Sequence, residues 1–347
     1  MISRNHFCKI SLLSLASAHG NWLNVKGYSS LNSAEVLHAK PLILDKQKLG
    51  FLEGPVKGHG NQLLFTHRHK ETKWSGINSI DITKKSPHIQ TEYSGSFGSL
   101  FLRNNKVYFT GQNPENGHET VGCFNSFKNG KLNDLEIKVE NNIGDHILLN
   151  TNDLVVTKDE AIYFTDKKGK AVGYISKEGK ASILYKSNNS KNLKGLDNPN
   201  GIILSSDEKR VFITDNSNIL FGDLKHSGSL KQGLDHLLPG EGLTEKEYHS
   251  ALDLSSKKIM RKNIEHTIVS GRFSSNLRID GMTIDHEGTI YGAALGSGCV
   301  VGFDGTTGQL KRVIKCQHGA TNCTIAGENN DTMCIVGGNG ISTIKIS

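Results

Sequence analysis

Six short apolar runs in this sequence are each opened by a polar residue: Glu53, Ser99, Asn152, Asn200, Asp280 and Asn322. The set comprises two carboxylates, three carboxamides and one hydroxyl, all of them oxygen donors. Oxygen-only donor sets suit hard divalent cations such as Ca²⁺, Mg²⁺ or Mn²⁺. A carboxylate beside such an ion can also take a proton from water, so the same residues suit hydrolysis at a polarised carbonyl. No Ser, His or Cys nucleophile is then required. Asn-Gly and Asp-Gly are also ordinary turn pairs. That simpler reading covers one or two of the six positions. It leaves unexplained why the polar residue recurs ahead of each hairpin and not inside its turn.

The elements that carry these residues are hairpins. Residues 198–215 hold an Asn-Gly corner, an apolar run, a polar turn at Ser205–Arg210, a second apolar run and then Thr214-Asp215. Two short apolar runs around a polar turn read as a β-hairpin. Looser copies lie at 52–67, 97–110, 152–166, 280–294 and 321–337. Their openers are roughly 42 to 53 residues apart, except for a longer interval between Asn200 and Asp280, and that period signals a β-propeller blade. Strand-like pieces such as Gly173–Ser176 and Cys299–Phe303 supply the outer strands of each blade. The expected fold is all-β, a six-bladed β-propeller with a central-channel metal site. Each blade's innermost strand lines the channel, so the openers converge near one mouth. A solenoid would show shorter and more regular repeats.

The chain divides unevenly around this core. Residues 1–18 combine a short basic region, a short apolar region and Ala16-Ser17-Ala18, the pattern of a signal peptide cleaved after Ala18. An organellar leader and an ordinary disordered start are the alternatives. Residues 19–347 then form a single propeller domain, with an edge strand at 34–44 broken by Pro41. The expected location is secreted or periplasmic if the leader is real, and cytoplasmic otherwise. Residues 222–278 read as an insertion in blade 4. Leu243–Leu252 resembles a helix start, with Thr244 as N-cap and Glu245 and Glu247 in the first turn. Such an excursion is either a lid over one face or an ornament.

Charge and cysteine usage exclude several classes. The net charge of +7 comes from scattered lysines, not from the concentrated basic stripe that a nucleic-acid surface needs. No apolar run approaches the roughly 20 residues of a membrane-spanning helix. Six cysteines occur without a C-x-x-C pair, which argues against a zinc knuckle or redox motif and for buried free thiols. Ser255-Ser256-Lys257-Lys258 lacks the companion motifs of a serine acylase. Gly296-Ser297-Gly298 precedes a strand-like run, whereas a dinucleotide loop opens a helix. Cys316, His318 and Cys323 lack metal-clip spacing. Nothing in the sequence specifies an oligomeric state.

Several of the opener segments resemble one known family. Glu53-Gly54-Pro55, Asn152-Asp153-Leu154-Val155-Val156 with Tyr163-Phe164-Thr165-Asp166, Pro199-Asn200-Gly201 and Asp280-Gly281-Met282 are similar to the signature segments of the SMP-30/gluconolactonase/luciferin-regenerating-enzyme family. They stand in that family's order and at compatible spacing, over roughly residues 50–345. The resemblance implies a six-bladed propeller with one divalent cation in the channel, Ca²⁺ first and Zn²⁺, Mn²⁺ or Mg²⁺ as alternatives. It implies that Glu53, Asn200 and Asp280 hold the metal, and that Asn152 is a further channel residue binding metal or substrate. It also implies that Asp280 is the general base in hydrolysis of a small-molecule sugar lactone or related ester. Two departures fall where family members contact substrate. The second repeat opens Gly98-Ser99-Leu100 instead of with Asn-Gly. The first ends Phe65-Thr66-His67 where an acidic residue is usual. Ser99 and His67 are therefore assigned to substrate contact beside Asn152, His67 with the alternative of a surface or hydrogen-bonded histidine. The other readings are an esterase or phosphotriesterase on the same scaffold, and a non-catalytic binding propeller with a structural ion.

Overall fold

The computed structural model describes residues 35–44, 50–67, 75–128, 131–186, 196–215, 218–224, 235–236, 278–295, 298–306, 308 and 310–346. The leader expected at 1–18 and the helix start expected at 243–252 lie outside these residues. Two strands open the described chain, β1 (Glu35–His38) and β2 (Lys40–Leu44). Blade 1 follows as β3 (Leu52–Lys57), β4 (Gln62–His67), β5 (Gly76–Asp81) and β6 (Gln90–Ser94). Blade 2 is β7 (Phe97–Arg103), β8 (Lys106–Gln112), β9 (Glu119–Lys128) and β10 (Lys131–Glu140), followed by a short ribbon of β11 (Asn142–Ile143) and β12 (His146–Ile147). Blade 3 is β13 (Thr151–Val156), β14 (Ile162–Asp166), β15 (Ala171–Ile175) and β16 (Ala181–Lys186). Blade 4 is β17 (Pro199–Leu204), β18 (Arg210–Asp215), β19 (Asn218–Asp223) and β20 (Asp235–His236). Blade 5 is β21 (Ile279–Ile284), β22 (Thr289–Ala294), β23 (Cys299–Asp304) and β24 (Leu310–Lys315). The last three strands are β25 (Gly319–Ala326), β26 (Thr332–Gly338) and β27 (Gly340–Lys345).

The fourth strand of blade 6 comes from the other end of the chain. β2 pairs antiparallel with β27, Lys40 opposite Thr343 and Leu44 opposite Gly340. β1 adds in parallel to the outside of blade 5, along β24. Pro41 therefore sits on an outermost strand, where a missing N–H is tolerated. The inner strands β3, β7, β13, β17, β21 and β25 neighbour one another in that order, and β25 returns to β3. The fold is a closed six-bladed β-propeller. Gly222 and Asp223 belong to β19 and Asp235–His236 form β20, so blade 4's own outer strands reach into the interval expected to be an insertion.

The sequence makes these blades by simple means. Asn104 and Asn105 both take positive φ, 51° and 59°, the type I′ geometry that matches the twist of a two-residue hairpin. Alternate residues of each strand fill the gaps between blades. Tyr108 and Val121 of blade 2 pack with Leu154 and Phe164 of blade 3. The second strand's aromatic ring lies over a glycine on the third strand. Phe164 faces Gly173 and Phe109 faces Gly122. A Cβ at those glycines would come within 2.1 Å and 2.6 Å of the ring. Any larger residue there must displace a buried phenylalanine.

Cys123, Cys299, Cys323 and Cys334 are buried and Cys316 is half-buried, all as free thiols. Burial pushes the Cys123 thiol up to about 11 and the Cys316 and Cys334 thiols up to about 12. Since the thiolate is the reactive form, alkylation of the native protein at mildly alkaline pH is expected to leave these cysteines unmodified, and denaturant to expose all of them. Peptide mass mapping checks this, and rapid native labelling of Cys334 would contradict the packing of blade 6.

Candidate functional site

Every inner strand carries a one-residue bulge near its start. The register slips between Glu53 and Val56, Phe97 and Leu100, Thr151 and Leu154, Pro199 and Ile202, Ile279 and Met282, and Ala320 and Asn322. A bulge twists the strand locally and re-aims a side chain. The residues that enter the bulge are Glu53, Gly98, Asn152, Asn200, Asp280 and Thr321. The next residue round the ring is Gly54, Ser99, Asp153, Gly201, Gly281 and Asn322.

A recurring threonine on the second strand fixes this register. Thr66 Oγ1 donates to the Gly98 carbonyl (2.7 Å), Thr110 to Asn152 (2.6 Å), Thr165 to Asn200 (2.6 Å) and Thr214 to Asp280 (2.9 Å). Three of these hydroxyls also accept from their own blade's bulge: Ser99 N–H on Thr110, Asp153 N–H on Thr165 and Gly201 N–H on Thr214. Thr110, Thr165 and Thr214 thus each satisfy a bulge N–H, and all four hydroxyls hold the carbonyl at the neighbouring blade's opener place. Glu53, Asn152, Asn200 and Asp280 occupy equivalent places. Ser99 and Asn322 stand one residue further along, and Gly98 and Thr321 take the opener places in their blades.

Asn200 and Asp280 meet directly. The Asn200 side-chain amide donates to the Asp280 carboxylate from the adjacent blade, and both residues are buried, as is Glu53. Asn152 is half-buried. The glycines after Asn200 and Asp280 serve close approach. A Cβ on Gly201 would lie 2.6 Å from the Asp280 carbonyl oxygen, and one on Gly281 would overlap the Asn322 amide. The Asn-Gly and Asp-Gly pairs are therefore not turns: both lie inside strands. The donor set of Glu53, Asn200 and Asp280 offers carboxylate and amide oxygens, and the Asn200–Asp280 contact brings two of these side chains together. That chemistry fits a hard cation. Among the described residues, no three His, Cys, Asp or Glu side chains converge, so a metal here must rely on an amide oxygen.

Asp153 is a site residue that sequence reasoning passed over. Its carboxylate accepts from Leu154 N–H (2.9 Å), from Ile202 N–H of blade 4 (3.3 Å) and from the Ser99 hydroxyl of blade 2. One side chain thereby ties the inner strands of three blades. Burial pushes its carboxyl up to about 6 against the pull of those three donors, and the nearby Asp280 charge adds to the rise. The signal was an acid inside an otherwise apolar run, overshadowed by Asn152 before it. Ser99, Asp153 and Asn322 line a cavity of about 360 Å³ that continues along the inner strands to Arg103, Lys158 and Glu208. Glu53, Asn152, Asn200 and Asp280 are not on its walls.

The Thr-Asp pairs end the second strands with a different device. Asp166 accepts from Leu149, Asn150 and Gly169 N–H groups and meets the His146 ring at 3.0 Å. Asp215 accepts from Asp197 and Asn198 N–H groups. Each carboxylate fastens the loop that leads into its blade's inner strand. His67 occupies the corresponding place in blade 1, opposite Leu52 and Gly76, and is fully buried. It is not a surface histidine.

His318 lies before β25 with its ring packed against Gly340. Burial holds its imidazole below the ordinary value, opposed by a bond to the Gly319 carbonyl. A histidine whose folded pKa is depressed binds its proton more readily when unfolded. Its stabilising contribution is complete above the unfolded value of about 6.5 and is lost as the pH falls below it. The unfolding midpoint in denaturant is expected to drop between neutral pH and pH about 5. A His318→Gln variant should show a shallower drop, and an equal drop would place the titration elsewhere.

The closed ring of six blades defines an all-β protein of the six-bladed β-propeller class. Residues 241–339 match the model of the family described as SMP-30/Gluconolactonase/LRE-like region, the family whose signature segments the sequence resembles. Among solved structures, the chain is similar to a gluconolactonase from Xanthomonas campestris, with a TM-score of 0.60 and 17% identity over 89% of this chain and 90% of that one. It is similar to regucalcin, a calcium-binding protein from Agrobacterium tumefaciens, with a TM-score of 0.61 and 14% identity over 89% and 94%. It is also similar to a luciferin-regenerating enzyme, with a TM-score of 0.58 and 15% identity over 88% and 96%. No curated protein matches the sequence. At these identities the structural likeness speaks for the fold.

Proposed function

We propose that this propeller is a metal-dependent hydrolase that opens a sugar lactone or a related carboxylic ester. The observation that carries the reading is the contact between Asn200 and Asp280, two buried oxygen-bearing side chains from adjacent blades, each set by a threonine and a bulge. Glu53 occupies the equivalent place in blade 1. In this reading Glu53, Asn200 and Asp280 hold one divalent cation, calcium being the first candidate because regucalcin, a structural relative, is a calcium-binding protein. A bound cation would polarise the substrate carbonyl and stabilise the charge that grows on its oxygen. Asp280 takes the proton from the attacking water. Asn152, half-buried in the neighbouring blade, orients the substrate. Asn200, by donating to Asp280, holds that carboxylate in place. The Thr165 and Thr214 bonds hold the two backbones at fixed spacing, which is the preorganisation such chemistry requires.

The test is hydrolysis of glucono-δ-lactone and a γ-lactone by the full chain, before and after exhaustive chelation and after readdition of Ca²⁺, Mn²⁺ or Zn²⁺. Loss on chelation with recovery on readdition is expected. Undiminished turnover in the chelated protein would rule out the metal-dependent reading.

A further inference from the structure

The cavity that begins at Ser99, Asp153 and Asn322 is the bore of the ring, because all six inner strands contribute to its wall. It ends among the hairpin turns. Lys158 lies in the turn between β13 and β14, and Ser206 and Glu208 lie in the turn between β17 and β18. Lys158 and Ser206 are exposed, so the bore opens to solvent at this end. At about 360 Å³ it is in the size range of small-molecule sites. Glu53, Asn152, Asn200 and Asp280 stand near the starts of the same strands, off its wall. The hydrolase reading leaves this space without a task.

The two ends of the bore are polar and its middle is not. At the inner end Asn322 is buried and its side-chain oxygen accepts from Cys323 N–H (2.8 Å). Its amide nitrogen has no partner among the described residues. A buried donor left open is costly unless something fills it. Asp153 accepts three hydrogen bonds, and a carboxylate has room for about four. The middle of the wall is aliphatic, with Val56, Leu100, Val155, Ile203 and Ile284. At the mouth, Arg103 Nη2 donates to the Val156 carbonyl (2.9 Å) and to Glu208 (3.4 Å). Arg103 Nη1 has no partner among the described residues. Glu208 also accepts from Lys158 N–H (2.8 Å), whereas the Lys158 ammonium is unpaired among the described residues. The mouth thus carries two cations and one carboxylate, a net positive charge.

We infer that the bore is a second binding site, for a medium-chain carboxylate with a hydroxyl at its far end. The carboxylate lies at Arg103 and Lys158, drawn by their charge and kept from the inner end by Asp153. The methylene chain covers the aliphatic wall. The terminal hydroxyl accepts from the Asn322 amide and donates to Asp153. Ser99 and Arg103 are four residues apart on β7, about 13 Å at the usual strand rise. A chain of about eight carbons suits that length once the side chains at both ends are allowed for. The inference is independent of the hydrolase reading, since it uses none of Glu53, Asn152, Asn200 and Asp280.

Calorimetric titration of the full chain with 8-hydroxyoctanoate tests it, beside octanoate and 1,8-octanediol. The hydroxy acid should bind saturably, one per chain, with an affinity unchanged by exhaustive chelation. Octanoate lacks the hydroxyl and the diol lacks the charge, so each should bind roughly tenfold more weakly. Lys158→Glu changes an exposed turn residue, so the fold should survive, and circular dichroism verifies this. It reverses the charge of the mouth. It should weaken the hydroxy acid roughly tenfold and leave the diol as it was. Absent binding of the hydroxy acid, octanoate binding as tightly, or a Lys158→Glu variant that affects acid and diol alike overturns the site. Binding lost on chelation would place the ligand at the openers and overturns it too. A chain that hydrolyses no lactone yet binds these three ligands in the expected ratios upholds the site while the hydrolase reading fails.

Discussion

Asp280→Asn is expected to lower kcat/KM for lactone hydrolysis by roughly a thousandfold, the scale of a lost general base. The substitution keeps the volume of a buried side chain and leaves the Thr214 bond to the backbone carbonyl in place. It removes the charge and sets an amide against the Asn200 amide that now donates to the carboxylate. Two measurements separate its roles. Bound metal is counted by emission spectroscopy, and turnover is followed with saturating Ca²⁺. Loss of metal and of turnover together assigns Asp280 as a ligand. Loss of turnover with metal retained assigns it as the base alone. A variant with full metal and full turnover would remove Asp280 from both roles.

Thr165→Val should destabilise the fold by roughly 2–4 kcal/mol, because it strands two buried backbone groups at once. The Asp153 N–H loses its acceptor and the Asn200 carbonyl loses its donor. Valine fits the volume and suits a strand, so packing should not mask the effect. Denaturant titration gives the magnitude, and Thr165→Ser should recover most of it by restoring the hydroxyl. A change within about half a kcal/mol would mean that these groups find other partners. The same variant frees the backbone that carries Asn200, so metal affinity should weaken alongside stability.

Much of this architecture was legible in the sequence. Two apolar runs around a polar turn, repeated six times, gave hairpins that fall on β3–β4, β7–β8, β13–β14, β17–β18, β21–β22 and β25–β26. Glu53, Asn152, Asn200 and Asp280 were legible as one structural position because each precedes the same pattern. Blades 2 and 6 were read one residue out of step. There the opener places hold Gly98 and Thr321, which carry no signal of their own, and the eye passes to Ser99 and Asn322. A bulge adds a residue without changing composition, so only pairing reveals it. Asp153 was missed for a related reason, since its importance lies in reaching Ser99 and Ile202 on other blades. The Thr-Asp endings were visible as a repeat, but their work as loop fasteners needs the third dimension.

The joining of β2 to β27 governs how the molecule can be made. The strand β2 that completes blade 6 is made before blades 1 to 5, and its partner β27 after them. The Gly50–Asn339 bond spans 289 residues. Until the final strand emerges, no arrangement of the growing chain can shut the ring, and contacts of such long range form slowly. Five blades must therefore wait as an open arc with sheet edges unpaired, the state in which β proteins are most prone to stick to one another. The clasp that makes the finished ring hard to open also puts off its completion until β27 has been made.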